Sequence, residues 1–122
     1  SIPGAMVGGF VLGLAEILEG LGEGGTIVAN FEGSPQELRE KVGVKGGTVV
    51  TVNASQISRD ILGRVIVNTP MLGALNRVLS EVSMENLLKA VRSQFGEKLR
   101  PEVIEKNLLC LTKAGEEAQI DG

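Results

Sequence analysis

Val65-Ile66-Val67-Asn68-Thr69-Pro70-Met71-Leu72-Gly73-Ala74-Leu75 is the stretch on which the reading of this chain turns. Its β-branched apolar residues, Val65, Ile66 and Val67, suit a short extended segment covered on both faces better than a turn of helix. A strand over 65–67 is therefore expected, stopping at the polar pair Asn68 and Thr69. Thr69 then caps a helix, and Pro70 takes its first position, where a missing N–H is no loss and φ is already correct. Met71, Leu72, Leu75, Val78 and Leu79 follow at helical spacing. Gly73 and Ala74 leave a surface low enough for a second backbone to approach closely. In an open α/β sheet, ligands and partners are met at the carboxyl ends of strands, and a helix start offers unpaired N–H groups to an anion. Asn68 and Thr69 are thus the candidate site; the bland alternative is that they only close a turn and cap a helix.

The totals narrow the class. At 122 residues the chain has one domain's length. Its 43% hydrophobic and 22% charged residues are ordinary for a globular domain and argue against disorder. Twelve Lys+Arg against fifteen Asp+Glu give a net charge of −3, and the three Phe are its only aromatic residues. Without a basic groove or a stacking surface, nucleic acid is rejected as a partner. The chain has no His, so neither a Ser-His-Asp nor a Cys-His relay can be assembled. One cysteine, Cys110, excludes an intrachain disulfide, a four-cysteine zinc site and a self-contained iron–sulfur cluster. It lies in Leu108-Leu109-Cys110-Leu111, where an inert core thiol is the favoured reading, and a lone cysteine fits a reducing cytoplasm. No run approaches the roughly 20 apolar residues of a membrane helix, and no targeting segment is evident. Ser1-Ile2-Pro3-Gly4-Ala5 shares no pattern with the helix expected after it, so residues 1–5 are set aside and 6–122 are taken as the domain, with Met6 the first native residue.

Working outward from the central stretch, Phe10, Leu14, Ile17, Leu18 and Leu21 share a helical face, predicting a helix to about residue 20. The glycines of Gly22-Glu23-Gly24-Gly25 then end a helix and precede the strand Thr26-Ile27-Val28-Ala29-Asn30-Phe31, the reverse of a phosphate-binding loop. Ser34-Pro35-Gln36-Glu37 is a capping box opening a short helix to about residue 42. After a turn at Gly46-Gly47, Thr48-Val49-Val50-Thr51-Val52 is a second strand, and Asn53-Ala54-Ser55-Gln56 starts a helix with Ile57, Ile61 and Leu62 inward. Ser58, Arg59 and Asp60 read as its solvated face. Ser83 caps a helix whose stripe Met84, Leu87, Leu88, Val91 and Phe95 reads as core, supported by Glu85 and Lys89 at i, i+4. Pro101 opens the last helix, with Val103, Ile104, Leu108, Leu111 and Ala114 on its apolar face, and residues 116–122 are expected to fray. The alternation implies an α/β fold, a mostly parallel sheet flanked by helices. Three strands make a thin sheet, consistent with a partial three-layer domain completed elsewhere, and an open edge favours a homodimer of the isolated piece. No internal repeat or low-complexity linker is found.

The run 67–75, followed by Val82-Ser83-Met84-Glu85-Asn86-Leu87 and a helix ending in Phe95-Gly96, resembles the γ subunit of 2-oxoacid:ferredoxin oxidoreductases, most of all the pyruvate enzyme, pyruvate synthase. Residues 21–30 and 49–54 match that family in order and spacing, and the likeness extends over 10–117. Family γ subunits begin with a strand and a G-x-G-G-Q-G turn that is absent here, so the resemblance is to their C-terminal part. It implies a non-catalytic role in oxidative decarboxylation of a 2-oxoacid with coenzyme A, electrons passing to ferredoxin. It also implies alpha, beta and delta partner subunits, with thiamine diphosphate and iron–sulfur clusters held mainly by them and no cofactor bound by this chain alone. On this reading Asn68, Thr69, Pro70, Met71, Leu72 and Gly73 lie at an interface or on the coenzyme A side of the complex. The competing classes are an independent α/β domain binding a small molecule and a protein-interaction module attached to no enzyme.

Overall fold

A computed structural model describes residues 5–6, 24–79 and 81–122. The helix expected over 10–20 and the start of the glycine turn, residues 22 and 23, lie outside the described residues. The described residues pack as two compact units, those within 1–53 together with 118–122, and those within 54–117.

The first unit is built on a sheet of order β1-β2-β3-β4: β1 (Ala5–Met6), β2 (Thr26–Asn30), β3 (Thr48–Val52) and β4 (Gln119–Asp121). β1 and β3 both run parallel to β2, and β4 runs antiparallel to β3, pairing Val49 with Asp121 and Thr51 with Gln119. The mostly parallel α/β sheet expected from the alternation is present. Residues 119–121 do not fray as expected; they form the edge strand. Helix α1 (Pro35–Val42) connects β2 to β3 and starts as the capping box requires, Ser34 Oγ accepting from Glu37 N–H at 3.1 Å and Glu37 Oε1 accepting from Ser34 N–H at 3.1 Å. Gly43 ends it at φ 75°, a left-handed conformation that glycine adopts without strain.

Register puts Ile27, Ala29 and Val49 on one face of the sheet, where they pack with Leu38 of α1, Val44, Phe31 and Val42. Val28, Val50 and Val52 on the opposite face are buried too, so these strands read as continuous apolar runs rather than alternating ones. Arg39 fastens α1 to this sheet. Its Nε donates to Asp121 Oδ2 at 2.8 Å, and its Nη1 and Nη2 donate to the carbonyls of Gly46 and Gly47 at 2.7 Å each.

The second unit is helical: α2 (Ala54–Leu62), α3 (Asn68–Asn76), α4 (Met84–Phe95) and α5 (Pro101–Glu117). α5 is its hub, packing against α2, α3 and α4. Ile104, Leu108, Cys110, Leu111 and Ala114 are its buried apolar residues. α4 begins as read, with Ser83 Oγ accepting from Asn86 N–H at 3.1 Å. Its stripe is not core, however. Met84, Leu87, Leu88, Val91 and Phe95 are all half-buried and α4 has no buried residue. Arg92 and Glu105 add an exposed ion pair to its contact with α5.

Candidate functional site

The segment expected as the central strand is not one. Residues 65–67 are irregular, Val65 is exposed, and the helix starts at Asn68, two residues before Pro70. Ser58 is the physical reason. Although its neighbours Arg59 and Asp60 are exposed as expected, Ser58 is fully buried, donating Oγ–H to the Arg64 carbonyl at 2.5 Å and accepting from Ile66 N–H at 2.6 Å. That bond takes the N–H a ladder would have used, and a local side-chain partner displaces a strand the propensities favour. Asn68 therefore does not stand at the carboxyl end of a strand.

Thr69 does not cap the helix either. The cap position is Val67, which makes no side-chain hydrogen bond, and Met71 N–H donates to the Val67 carbonyl at 2.9 Å as the first turn closes. Pro70 falls within that turn, where an N–H partner is not needed. The Thr69 hydroxyl is turned instead toward α5, donating to Asn107 Oδ1 at 3.2 Å, while Asn107 Nδ2 donates to the Val103 carbonyl at 2.9 Å.

One turn further on, Gly73 meets α5 backbone to backbone. A Cβ added there would lie 2.8 Å from the Leu111 carbonyl carbon and 3.1 Å from its Cα, with the carbonyl oxygen closer still. A turn beyond that, Arg77 Nη1 donates to the Gly115 carbonyl at 2.6 Å, placing a cation at the negative end of α5. Thr69, Gly73 and Arg77 thus face Asn107, Leu111 and Gly115, each pair 38 residues apart. A constant offset means that α3 and α5 run parallel and in register along matching four-residue rows. The close approach expected of Gly73 and Ala74 is present, and Ala74 is fully buried.

This contact divides the candidate residues. Thr69, Pro70 and Gly73 are buried, Met71 is half-buried, and Asn68 and Leu72 are exposed. Of the polar corner, only Asn68 faces solvent. Asn107, Arg77 and Gly115 are absent from the sequence reading, and Ser58, expected on a solvated face, is buried. Asn107 does carry a signal, as an amide at i+4 from Val103 and i−4 from Leu111 within the apolar stripe of the last helix.

Cys110 is fully buried, and desolvation raises its thiol pKa against a smaller lowering by Lys113. Among the described residues no three His, Cys, Asp or Glu side chains gather closely enough to hold a metal. The described donor set therefore does not fit an iron–sulfur cluster or a metal ion. No helix among the described residues is long and apolar enough to cross a membrane.

The family model for pyruvate ferredoxin/flavodoxin oxidoreductase matches residues 5–117. The chain belongs to that family. Among its relatives, pyruvate synthase subunit PorC of Thermotoga maritima is 38% identical over 103 residues, covering 84% of this chain and 53% of that protein. The common γ subunit of the pyruvate/ketoisovalerate oxidoreductases of Thermococcus kodakarensis is 35% identical over 108 residues, covering 88% and 54%. The crystal structure of pyruvate oxidoreductase subunit PORC from Thermotoga maritima superposes with a TM-score of 0.75 at 34% identity, covering 88% of this chain and 58% of that one. The chain spans about half the length of the curated relatives it matches. The family read from the 67–75 run and the helix after it, and the α/β fold read from the alternation of strands and helices, both hold.

Proposed function

We propose that this chain works as the C-terminal part of a γ subunit in a pyruvate or related 2-oxoacid:ferredoxin oxidoreductase. The complex would decarboxylate the 2-oxoacid oxidatively, join the acyl group to coenzyme A and pass two electrons to ferredoxin. The observation that carries this reading is the agreement in sequence and fold with PorC, 34% identity at a TM-score of 0.75. Within such a complex thiamine diphosphate supplies the carbanion chemistry and iron–sulfur clusters carry the electrons, both on companion alpha, beta and delta subunits. This chain's part is structural, consistent with the absence of His and the burial of its one cysteine. A cytoplasmic setting agrees with that free thiol.

The exposed Asn68 and Leu72 are the portions of the candidate stretch open to a neighbouring subunit or to the coenzyme A side, while Thr69, Pro70 and Gly73 are committed to the helix pair. Two experiments test these layers separately. Leaving the full-length γ chain out of a complex reconstituted from all its subunits should abolish coenzyme A-dependent dye reduction; full activity without it rejects the subunit role. In the intact complex, Asn68→Ala should raise KM for coenzyme A, and an unchanged KM rejects the coenzyme A side for that residue.

A further inference from the structure

We propose that Asn107 is a positioning residue for the Asn68 corner, acting through Thr69. The proposal rests on the reading of Asn68 as a coenzyme A-side residue and adds a residue of α5 that neither touches that surface nor stands near it in sequence.

The first turn is ordinarily the weakest part of a helix, because its N–H groups lack intrahelical partners and it frays unless something holds it. α3 starts without that help, since Val67 makes no side-chain capping bond. What holds the turn is Thr69, tied sideways to α5. The direction of that tie is set from the far side. Asn107 Nδ2 donates to the Val103 carbonyl at 2.9 Å, which leaves Oδ1 facing α3 and requires the Thr69 hydroxyl to donate across 3.2 Å. Thr69 and Asn107 are each only 8% exposed, so water does not readily replace either partner. Asn68 is the next residue along the backbone from Thr69 and is exposed.

Packing alone does not call for this pair. Of the other contacts between these helices, Gly73 against Leu111 and Gly115 against Gly73 bring the backbones together with no side-chain polar group, and Arg77 reaches the Gly115 carbonyl two turns beyond Thr69. An apolar pair of similar shape at 69 and 107 would fill the same space without desolvating two polar groups. What the polar pair adds is direction and register: it closes in one arrangement and fails if α3 rotates or slips by one turn. The rotation it fixes is the one that aims position 68 outward.

The experiment uses the full-length protein assembled with its companion subunits, measuring kcat, KM for coenzyme A and the thermal midpoint of four variants. Asn107→Ala and the milder Thr69→Val should raise KM about fivefold, the change that one lost hydrogen bond's ordering amounts to, with kcat within about twofold. The double variant Thr69→Val/Asn107→Leu, which removes both polar groups, should recover the thermal midpoint and leave KM raised. Recovery of KM together with the midpoint overturns the proposal, because the pair then only packs. Asn68→Ala separates the two layers. If it raises KM while Thr69→Val and Asn107→Ala do not, the positioning role is wrong and the coenzyme A reading of Asn68 stands. If none of the variants moves KM, that reading fails and takes the proposal with it.

Discussion

Gly73→Ala is the perturbation for which the structure sets the sign against ordinary expectation. Alanine in place of glycine inside a helix normally stabilises it by about 1 kcal/mol. At Gly73 the added methyl would lie 2.8 Å from the Leu111 carbonyl carbon and 3.1 Å from its Cα. Carbon atoms prefer about 3.5–4.0 Å, so relief requires separating the two backbones by close to an ångström. The obstacle is main chain, so no rotamer change can clear it. Overpacking of this kind costs about 1–3 kcal/mol. Moving α3 outward also lengthens the flanking bonds Thr69 to Asn107 and Arg77 to Gly115, at about 1 kcal/mol each. Setting these costs against the propensity gain leaves a net destabilisation of about 2–4 kcal/mol. Gly115→Ala is the internal control, because the nearest atom to its added methyl is Met84 Cε at 2.8 Å, the tip of a flexible side chain, and the Gly73 carbonyl oxygen stands farther off at 3.3 Å. It should cost under about 1 kcal/mol. Equilibrium urea unfolding with an unchanged m-value is the assay. A Gly73→Ala protein as stable as the parent, or stabilised by the full propensity gain, would refute the backbone contact.

Ser58→Ala strips partners from the Arg64 carbonyl and the Ile66 N–H, and should destabilise by about 1–2 kcal/mol, with faster hydrogen exchange at the Ile66 amide; unchanged exchange would contradict the bond. The hydroxyl of Thr51 is buried and has no hydrogen-bond partner among the described residues, so Thr51→Val should stabilise by about 1 kcal/mol in thermal unfolding, and a loss of stability would reveal a partner. The Arg92 hydrogen bond holds the Glu105 carboxyl below its ordinary pKa. Its stabilisation is therefore full above the unfolded-state value and is lost as pH falls through the lower folded one, so parent and Glu105→Gln should differ near pH 7 and converge in acid once the folded carboxyl is protonated. A difference that persists in acid would contradict that assignment.

Where local chemistry decides an element, the sequence was enough. The Ser34-Pro35-Gln36-Glu37 box opened α1, the two β-branched runs became β2 and β3, and Ser83 and Pro101 opened α4 and α5. The misreadings came from partners that lie elsewhere in the chain. Residues 65–67 have the composition of a strand, but the hydroxyl of Ser58 holds them in a loop. The segment 119–121 has little apolar character and is a strand because β3 offers it an edge and Arg39 binds Asp121. The α4 stripe announces a face that favours cover without saying what supplies it, and in this chain it is half-covered. At the candidate site, the small residues Gly73 and Ala74 correctly announced a close approach. Which helix approaches, and that Thr69 spends its hydroxyl on it, depends on a register 38 residues away that no local pattern contains.

The central claim is that this chain belongs in a working 2-oxoacid:ferredoxin oxidoreductase, and anaerobic affinity capture of the tagged full-length protein from its own cells tests it most directly. The captured material is assayed for coenzyme A-dependent reduction of a viologen dye with a panel of 2-oxoacids. Companion subunits and activity with pyruvate or a related 2-oxoacid are the expected result. Recovery of the chain alone, or with partners that reduce no dye with any 2-oxoacid, would contradict the account.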